Sequence, residues 1–152
     1  MPALILIFSA IDFVSALARP AGKPDTQRSD FIAWVERYMP CRDRLGISGT
    51  DLYAARCGVV HAMSSDSRLQ REGKVKRIFY TWGNKHPEPM NAALQGEPGT
   101  FVKVETLFEV FLEGLGAFGT AVDKSEELQR LVASRTGMVF AEYPDLPPPG
   151  VR

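Results

Sequence analysis

The sequence predicts a mainly α-helical protein of one domain, with a small β-hairpin inserted before its longest late helix. Apolar residues recur at helical spacing in several segments, whereas only two short segments are rich in β-branched and aromatic residues. The 152 residues are 45% hydrophobic and 24% charged, which suits one globular core. About five helices are expected within residues 1–143, followed by an extended proline-rich tail over residues 144–152.

The first helix is expected from about Leu4 to Ala18. Ser9, Asp12 and Ser15 recur every third residue and form one narrow polar stripe on an otherwise apolar surface. This helix should therefore lie centrally or at a subunit contact. No basic residue precedes the apolar stretch and Asp12 interrupts it, which argues against a signal peptide. The stretch is also too short to span a bilayer, so no membrane association is expected.

Three more helices follow from the pattern. One is expected over residues 29–39 and ends before Pro40. The next begins at residues 48–51, where Ser-Gly-Thr-Asp fits a capping box. A short last helix is expected over residues 124–134. Between these lies the strongest periodicity, a near-heptad stripe for which core packing is the expected role and a dimer seam or a lipid-binding surface the alternatives. Its members are Val104, Phe108, Phe111, Leu115, Phe118 and Val122.

Two segments are expected to form the hairpin. Residues 76–82 are rich in aromatic and β-branched types and stop at Gly83, and residues 101–104 could pair with them. The intervening residues 84–99 are predicted to be a polar loop. Helical spacing at positions 75, 78, 79 and 82 leaves a helix open as the alternative for the first segment. An isolated hairpin is only marginally stable, so this one is expected to pack against the helices.

The third helix carries the most informative stretch, Arg56-Cys57-Gly58-Val59-Val60-His61. A guanidinium binds phosphate oxygens and an imidazole transfers protons near neutral pH, so the pair suits phosphoester chemistry. On an unbroken helix five positions separate two side chains by about 140°. Either the helix ends or bends near Gly58, or the site combines two chains. The alternative is a structural Arg and His held by carboxylates such as Asp12 or Asp51.

This Arg-x4-His motif in a small helical chain resembles that of the HEPN superfamily, the ribonucleases and toxins of prokaryotic defence modules. The resemblance implies a helical bundle that dimerises and cleaves single-stranded RNA without metal, using the ribose 2′-hydroxyl as nucleophile. It implies that His61 is the general acid or base and that Arg56 holds the phosphate and its developing charge. It also makes an antitoxin-type protein a candidate partner, and no cofactor is expected.

Two positions differ from the family's pattern. A polar residue often follows the Arg, and a Tyr often stands two residues after the His, where this sequence has Cys57 and Met63. These differences favour the alternative of a non-catalytic HEPN-like dimer that binds RNA, a nucleotide or a protein. The balanced charge, 18 basic against 18 acidic residues, favours it as well.

A basic run follows the motif and is the predicted RNA-binding segment. Against the single acid Glu72 it carries Arg68, Arg71, Lys74, Lys76 and Arg77. Aromatic residues come directly after it, and Lys or Arg combined with rings is the composition of a single-strand RNA groove. Because the formal net charge is zero, RNA binding must come from such a local patch. The alternative is a solvated loop and an edge strand whose charges block aggregation.

The chain has two cysteines and two histidines, Cys41, Cys57, His61 and His86. They lack the close CxxC or HxxxH spacing of a zinc site, so no metal is expected. Nothing visible would orient His61 as the base for a Cys57 nucleophile. Two cysteines are too few for a secreted disulfide framework, which favours a reducing cytoplasm. Glycine-rich phosphate loops, HExxH and GxSxG are absent, so nucleotide-dependent enzymes and serine hydrolases gain no support.

Overall fold

The computed structural model describes residues 2–62, 72–96 and 99–139, with the side chains of residues 61, 62, 138 and 139 excepted. Within these ranges the protein is mainly helical, with one small two-stranded sheet. The helices are α1 (Pro2–Ala18), α2 (Arg28–Tyr38), α3 (Cys41–Leu45), α4 (Gly49–Ala62), α5 (Pro87–Ala93), α6 (Val104–Asp123) and α7 (Glu126–Val139). The strands are β1 (Arg77–Thr81) and β2 (Gly99–Lys103).

The first helix, α1, is central, as its pattern predicted. It contacts α2, α4, α6 and α7. Phe8 and Ile11 of α1 are fully buried, together with Leu52 of α4 and Leu107 of α6. Burial of these large apolar side chains stabilises the fold at about 25 cal/mol per Å² of apolar surface removed from water. The polar stripe is only partly outward, because Ser15 is buried and donates a hydrogen bond to the Asp12 carbonyl oxygen.

The predicted hairpin is wrong, because β1 and β2 pair in parallel. Their register joins Arg77 to Gly99 and Thr81 to Lys103. The prediction that residues 84–99 form a polar loop is wrong as well, because this segment contains α5. A parallel pair needs a crossover that returns the chain to the starting end of the sheet, and the segment holding α5 is long enough for that. Both strand segments themselves are confirmed within a few residues.

The small sheet is attached to α5 by one amide side chain. Asn91 of α5 donates to the Phe101 carbonyl oxygen (3.1 Å) and accepts from the Phe101 backbone N–H (2.6 Å). The rings of Phe79 and Phe101 stack across the strands with their centroids 4.9 Å apart. These contacts supply the side-chain support that two paired strands require.

The late helix α6 spans the whole predicted stripe, but its buried face differs from that stripe. The buried positions are Leu107, Val110, Phe111, Gly114 and Phe118. Gly114 explains the rotation of this face, because a Cβ there would lie 2.6 Å from Cγ of Met39. Only a glycine, which has no Cβ, permits α6 to approach Met39 this closely, so the face of α6 that carries Gly114 is turned inward. Two members of the predicted stripe are left exposed, Phe108 at 46% and Leu115 at 38%.

The number of helices also differs from the predicted five, since seven occur in the described ranges. The short α3 follows Pro40 and ends at Gly46, whose φ of +65° is the left-handed conformation that glycine adopts at helix ends. Helix α7 extends to Val139, beyond the predicted end at residue 134. The predicted tail, residues 144–152, lies outside the described residues.

Candidate functional site

The helix that carries Arg56 and His61 begins with the predicted capping box. The Ser48 hydroxyl accepts the Asp51 backbone N–H (3.1 Å), and the Asp51 carboxylate accepts the Ser48 N–H (2.8 Å). Glu36 of α2 accepts the Gly49 N–H (2.7 Å) and a bidentate contact from Arg42. These bonds satisfy donors of the first turn and fix the start of α4 against α2 and α3.

Arg56 of α4 forms an ion pair with Asp12 of α1. Its Nε and Nη2 atoms lie 2.9 and 2.7 Å from the same carboxylate oxygen, Oδ2. The side chains are 19% and 33% exposed, so neither group is sealed in the interior. Burial lowers the pKa of the Arg56 guanidinium, but the hydrogen bond and charge of Asp12 outweigh this and the net pKa is raised. This contact with Asp12 is the one that the alternative, structural interpretation of Arg56 named.

Tyr53 lies one helical turn before Arg56 and borders it. Its ring meets that of Phe31 edge to face, with the centroids 5.5 Å apart. Burial raises the pKa of the Tyr53 hydroxyl, and the nearby Cys57 thiol adds to this. The guanidinium of Arg28, at the start of α2, stands over the Tyr53 ring at 5.5 Å from its centroid. A second cation is therefore brought to the part of α4 that carries Arg56 from a distant part of the sequence.

The segment between α1 and α2 is held in place by two charged side chains. Arg19 donates to the carbonyl oxygens of Ala16, Lys23 and Pro24 at 2.9 to 3.2 Å. Asp30 accepts the Gln27 N–H (2.8 Å) and the Lys23 ammonium (2.8 Å). Burial raises the pKa of Asp30, but these donors outweigh it and the net pKa is lowered. Together they fix where Arg28 enters α2.

Arg28, Tyr53 and Arg56 line one open cleft of about 490 Å³ between α1, α2 and α4. Its charged side chains are Asp12, Arg28 and Arg56, and the ring of Phe13, 38% exposed, forms an apolar part of the wall. Two guanidinium groups against one carboxylate give the described lining a net positive charge. A cleft with this charge and an aromatic wall is suited to a phosphorylated ligand.

The other half of the predicted motif is placed only by its backbone. His61 lies in the last turn of α4, and its side chain lies outside the described part of the chain. Helix α4 continues without a break from Gly49 to Ala62, so the helix does not end near Gly58. Positions 56 and 61 therefore differ by about 140° around the helix axis.

The described part of the predicted basic run lies away from this cleft. The Lys76 backbone N–H donates to Asp51 (2.8 Å), and its Nζ donates to the Gly46 carbonyl oxygen (3.0 Å). Asp51 is five positions before Arg56, again about 140° around α4. Lys74 pairs with Glu72 (2.7 Å). The structure thus does not bring these lysines to Arg56.

The basic run also contains three arginines, of which the structure describes Arg77. The Arg77 guanidinium stands 5.9 Å from the Phe79 ring centroid on β1. Arg68 and Arg71 lie outside the described residues. Just after β1, Nζ of Lys85 lies 5.4 Å from the centroid of the exposed Trp82 ring. This pair extends the basic and aromatic character of this edge of the sheet.

Cysteine and acidic side chains do not gather into a metal site in the part of the chain that the structure describes. No group of three or more His, Cys, Asp or Glu side chains lies close enough there to hold an ion. Cys41 is buried, and burial raises the pKa of its thiol to about 12. A buried thiol of this pKa is not a nucleophile at neutral pH.

An apolar surface lies along α1 and α6. Its exposed members are Leu6 at 70%, Phe108 at 46%, Leu112 at 47% and Leu115 at 38%. A groove of about 460 Å³ between the two helices is lined by apolar side chains apart from Glu105. Among the described residues no helix has the length and hydropathy to cross a lipid bilayer.

The fold and the cleft define a mainly helical protein with a small parallel sheet and an arginine-lined site between α1, α2 and α4. No protein-family model, no curated protein and no solved structure matches the chain. The HEPN resemblance therefore stays a prediction from the motif.

Proposed function

We propose that this protein is a HEPN-type endoribonuclease that cleaves single-stranded RNA without a metal ion. In this proposal Arg56 binds the phosphate being transferred and His61 moves protons. The observation that carries it is the position of Arg56. Its guanidinium reaches the wall of an open cleft and is oriented there by two hydrogen bonds to Asp12. Stabilising charge that develops on a phosphate requires such an oriented, partly desolvated donor.

The reaction is an attack by the ribose 2′-oxygen on the adjacent phosphorus. The 2′-hydroxyl loses its proton to a base as the new P–O bond forms. The bond from phosphorus to the 5′-oxygen breaks, and the leaving oxygen takes a proton from an acid. The products are a 2′,3′-cyclic phosphate and a 5′-hydroxyl end, and no further reactant is consumed. An imidazole that titrates near neutral pH can act as the base or as the acid.

The proposal includes a homodimer in which Arg56 of one protomer acts with His61 of the other. Because α4 runs unbroken through both positions, which differ by about 140° around its axis, the proposal takes the histidine of each site from the second copy. A two-fold axis beside α4 would place each Arg56 near the partner's copy of the histidine. Isologous interfaces of this kind are the commonest in soluble oligomers.

The apolar surface on α1 and α6 supports the association of two copies, and α1 packs against both α6 and α4. Phe108, Leu112 and Leu115 follow one another at spacings of four and three, the spacing of residues at the seam between packed helices. Side chains this large and this exposed mark interaction surfaces when they are contiguous. A second copy presents the same apolar surface, so the two surfaces can cover each other.

The second candidate is a non-catalytic HEPN-like dimer that binds RNA, a nucleotide or a protein. The same ion pair favours it, because Asp12 already engages both Nε and Nη2 of Arg56. Salt-dependent binding of RNA without cleavage products would distinguish this function from the first, since phosphate contacts weaken as salt rises.

The test of cleavage uses four proteins and labelled RNA oligonucleotides in EDTA. Wild type is compared with Arg56→Ala, His61→Ala and the control His86→Ala, which removes the only other histidine. The proposal predicts cyclic-phosphate ends from wild type and His86→Ala, and a rate lower by about 100-fold or more in the other two variants. Equal activity in all four, or none in any, contradicts it.

A further inference from the structure

We propose that Arg28 is a second phosphate-binding residue of the cleft, and that the ring of Phe13 contacts a base of the same bound strand. In this arrangement Arg28 and Arg56 hold neighbouring phosphates of single-stranded RNA. The inference rests on the proposed function, because it takes the cleft of Arg56 as the place where RNA binds. It adds the surface that orients the strand before any bond is broken.

Arg28 is held in position by contact with an aromatic ring rather than with a carboxylate. Its guanidinium lies 5.5 Å from the centroid of the Tyr53 ring, which packs against the buried Phe31. Within the described ranges no carboxylate lies within ion-pair distance of Arg28. A guanidinium stacked on a ring keeps its edge available for hydrogen bonds to phosphate oxygens. Stacking also reduces the side-chain entropy that binding costs.

The two cations of the cleft have different roles because their surroundings differ. Asp12 fixes Arg56 in one orientation but offsets its charge, whereas the Tyr53 ring leaves the charge of Arg28 uncompensated. An anion entering the cleft is therefore attracted mainly by Arg28 and oriented by Arg56. Attraction and orientation of a phosphate are the contributions that precede chemistry.

An aromatic wall favours a nucleotide over a bare anion. Phe13 is 38% exposed and lines the same cleft as the two arginines. Unpaired bases stack on aromatic side chains in single-stranded RNA recognition, and this stacking tolerates any base. Paired bases in a duplex do not offer their faces to a ring. The cleft is therefore expected to prefer single strands to duplex and to show little sequence preference.

The test measures binding, so it does not depend on cleavage. Fluorescence anisotropy of a labelled ten-nucleotide RNA is recorded in EDTA with the full chain and with Arg28→Ala, Phe13→Leu and Arg37→Ala. Arg37 is a matched control, because it lies on the same helix and stands over the Tyr38 ring at 5.3 Å, outside the cleft. Melting curves establish that all variants are folded. Duplex RNA and inorganic phosphate serve as competitors.

The inference predicts that Arg28→Ala weakens binding about tenfold and lowers the slope of log affinity against log salt by about one, while Arg37→Ala changes neither by more than about twofold. Phe13→Leu should weaken binding of the single strand about threefold or more. Equal effects of Arg28→Ala and Arg37→Ala overturn the inference even if wild type cleaves RNA. A selective effect of Arg28→Ala without cleavage sustains it while the nuclease proposal fails. No binding by wild type, or competition by inorganic phosphate as strong as by RNA, also overturns it.

Discussion

Asp12 and Arg56 form an asymmetric ion pair, in which both Nε and Nη2 of the guanidinium donate to the single carboxylate oxygen Oδ2. The pair joins α1 to α4 at the wall of the cleft. Its geometry fixes the direction of the guanidinium, and its charge lowers the attraction of the cleft for anions. The same contact is thus a structural tie and a restraint on ligand binding.

Replacing Asp12 by Asn should separate these two effects. Asp12→Asn removes the negative charge beside Arg56, so RNA affinity at low salt is expected to rise about fivefold. The melting temperature should fall, because a partly buried cation loses its partner, at a cost of about 1 kcal/mol. Anisotropy titrations and melting curves measure both. Asp43→Asn, on the exposed surface of α3, is the control. Weaker RNA binding by Asp12→Asn would show that the carboxylate assists the ligand.

Two glycines of α6 should respond in opposite directions to alanine. A Cβ at Gly114 would lie 2.6 Å from Cγ of Met39, whereas one at Gly116 meets no atom within 4 Å. Gly114→Ala is expected to cost about 1–3 kcal/mol through overpacking. Gly116→Ala should gain about 0.5–1 kcal/mol from helix propensity. Chemical denaturation measures both free energies of unfolding. Stabilisation by both would mean that α6 does not approach Met39 as the structure has it.

Arg135 of α7 should be needed for stability although its side chain does not line the cleft. Its guanidinium donates to carbonyl oxygens at the end of α1 and just beyond it, including Leu17 (2.6 Å) and Pro20 (3.1 Å). Arg135→Ala leaves these acceptors without donors and is expected to cost about 1–3 kcal/mol. Arg130→Ala, whose pair with Glu126 is exposed, should change stability by less than about 0.5 kcal/mol. Equal melting temperatures for both variants would contradict this role.

The stability of the fold should fall in acid partly through Glu36. Hydrogen bonds from Arg42 and from the Gly49 backbone N–H hold the pKa of Glu36 below its usual 4.5. A lowered pKa means that the charged form stabilises the native state above the unfolded pKa, and that this contribution is lost as pH falls through the folded pKa. Glu36→Gln does not titrate, so its free energy of unfolding should change less between about pH 5 and about pH 3 than that of wild type. The exposed Glu127→Gln is the control variant, and a slope in Glu36→Gln equal to that of wild type would refute this linkage.

Local signals in the sequence are sufficient to predict most of the helices and strands and the residue at which α4 begins. Ser48 and Asp51 lie within one turn, so their reciprocal capping depends on neighbouring residues alone. The direction of strand pairing depends on the connection between the strands. The segment between Thr81 and Gly99 is long enough for a crossover, and this was the signal against a hairpin.

The rest of the site depends on contacts between distant residues. Arg28 stands on Tyr53 because α2 and α4 pack together, and no local pattern at residue 28 indicates this. The face of α6 was misassigned for a similar reason. Phe108 and Leu115 share the helical spacing of a core stripe, but Gly114 and Met39 decide which side approaches α2. Periodicity predicts that a helix has an apolar face, and packing selects the face when two are apolar.

The central claim is that each active site combines residues of two protomers. It is tested most directly by mixing two inactive variants. Arg56→Ala and His61→Ala are co-expressed with different tags, and the purified mixed dimer and the random mixture are assayed on single-stranded RNA in EDTA. If each site combines Arg56 of one protomer with the partner's histidine, half of the sites in a mixed dimer are intact, so the random mixture should regain about a quarter of the wild-type rate. Mixed dimers that remain as inactive as either parent, beside an active wild type, would contradict a site built by two copies.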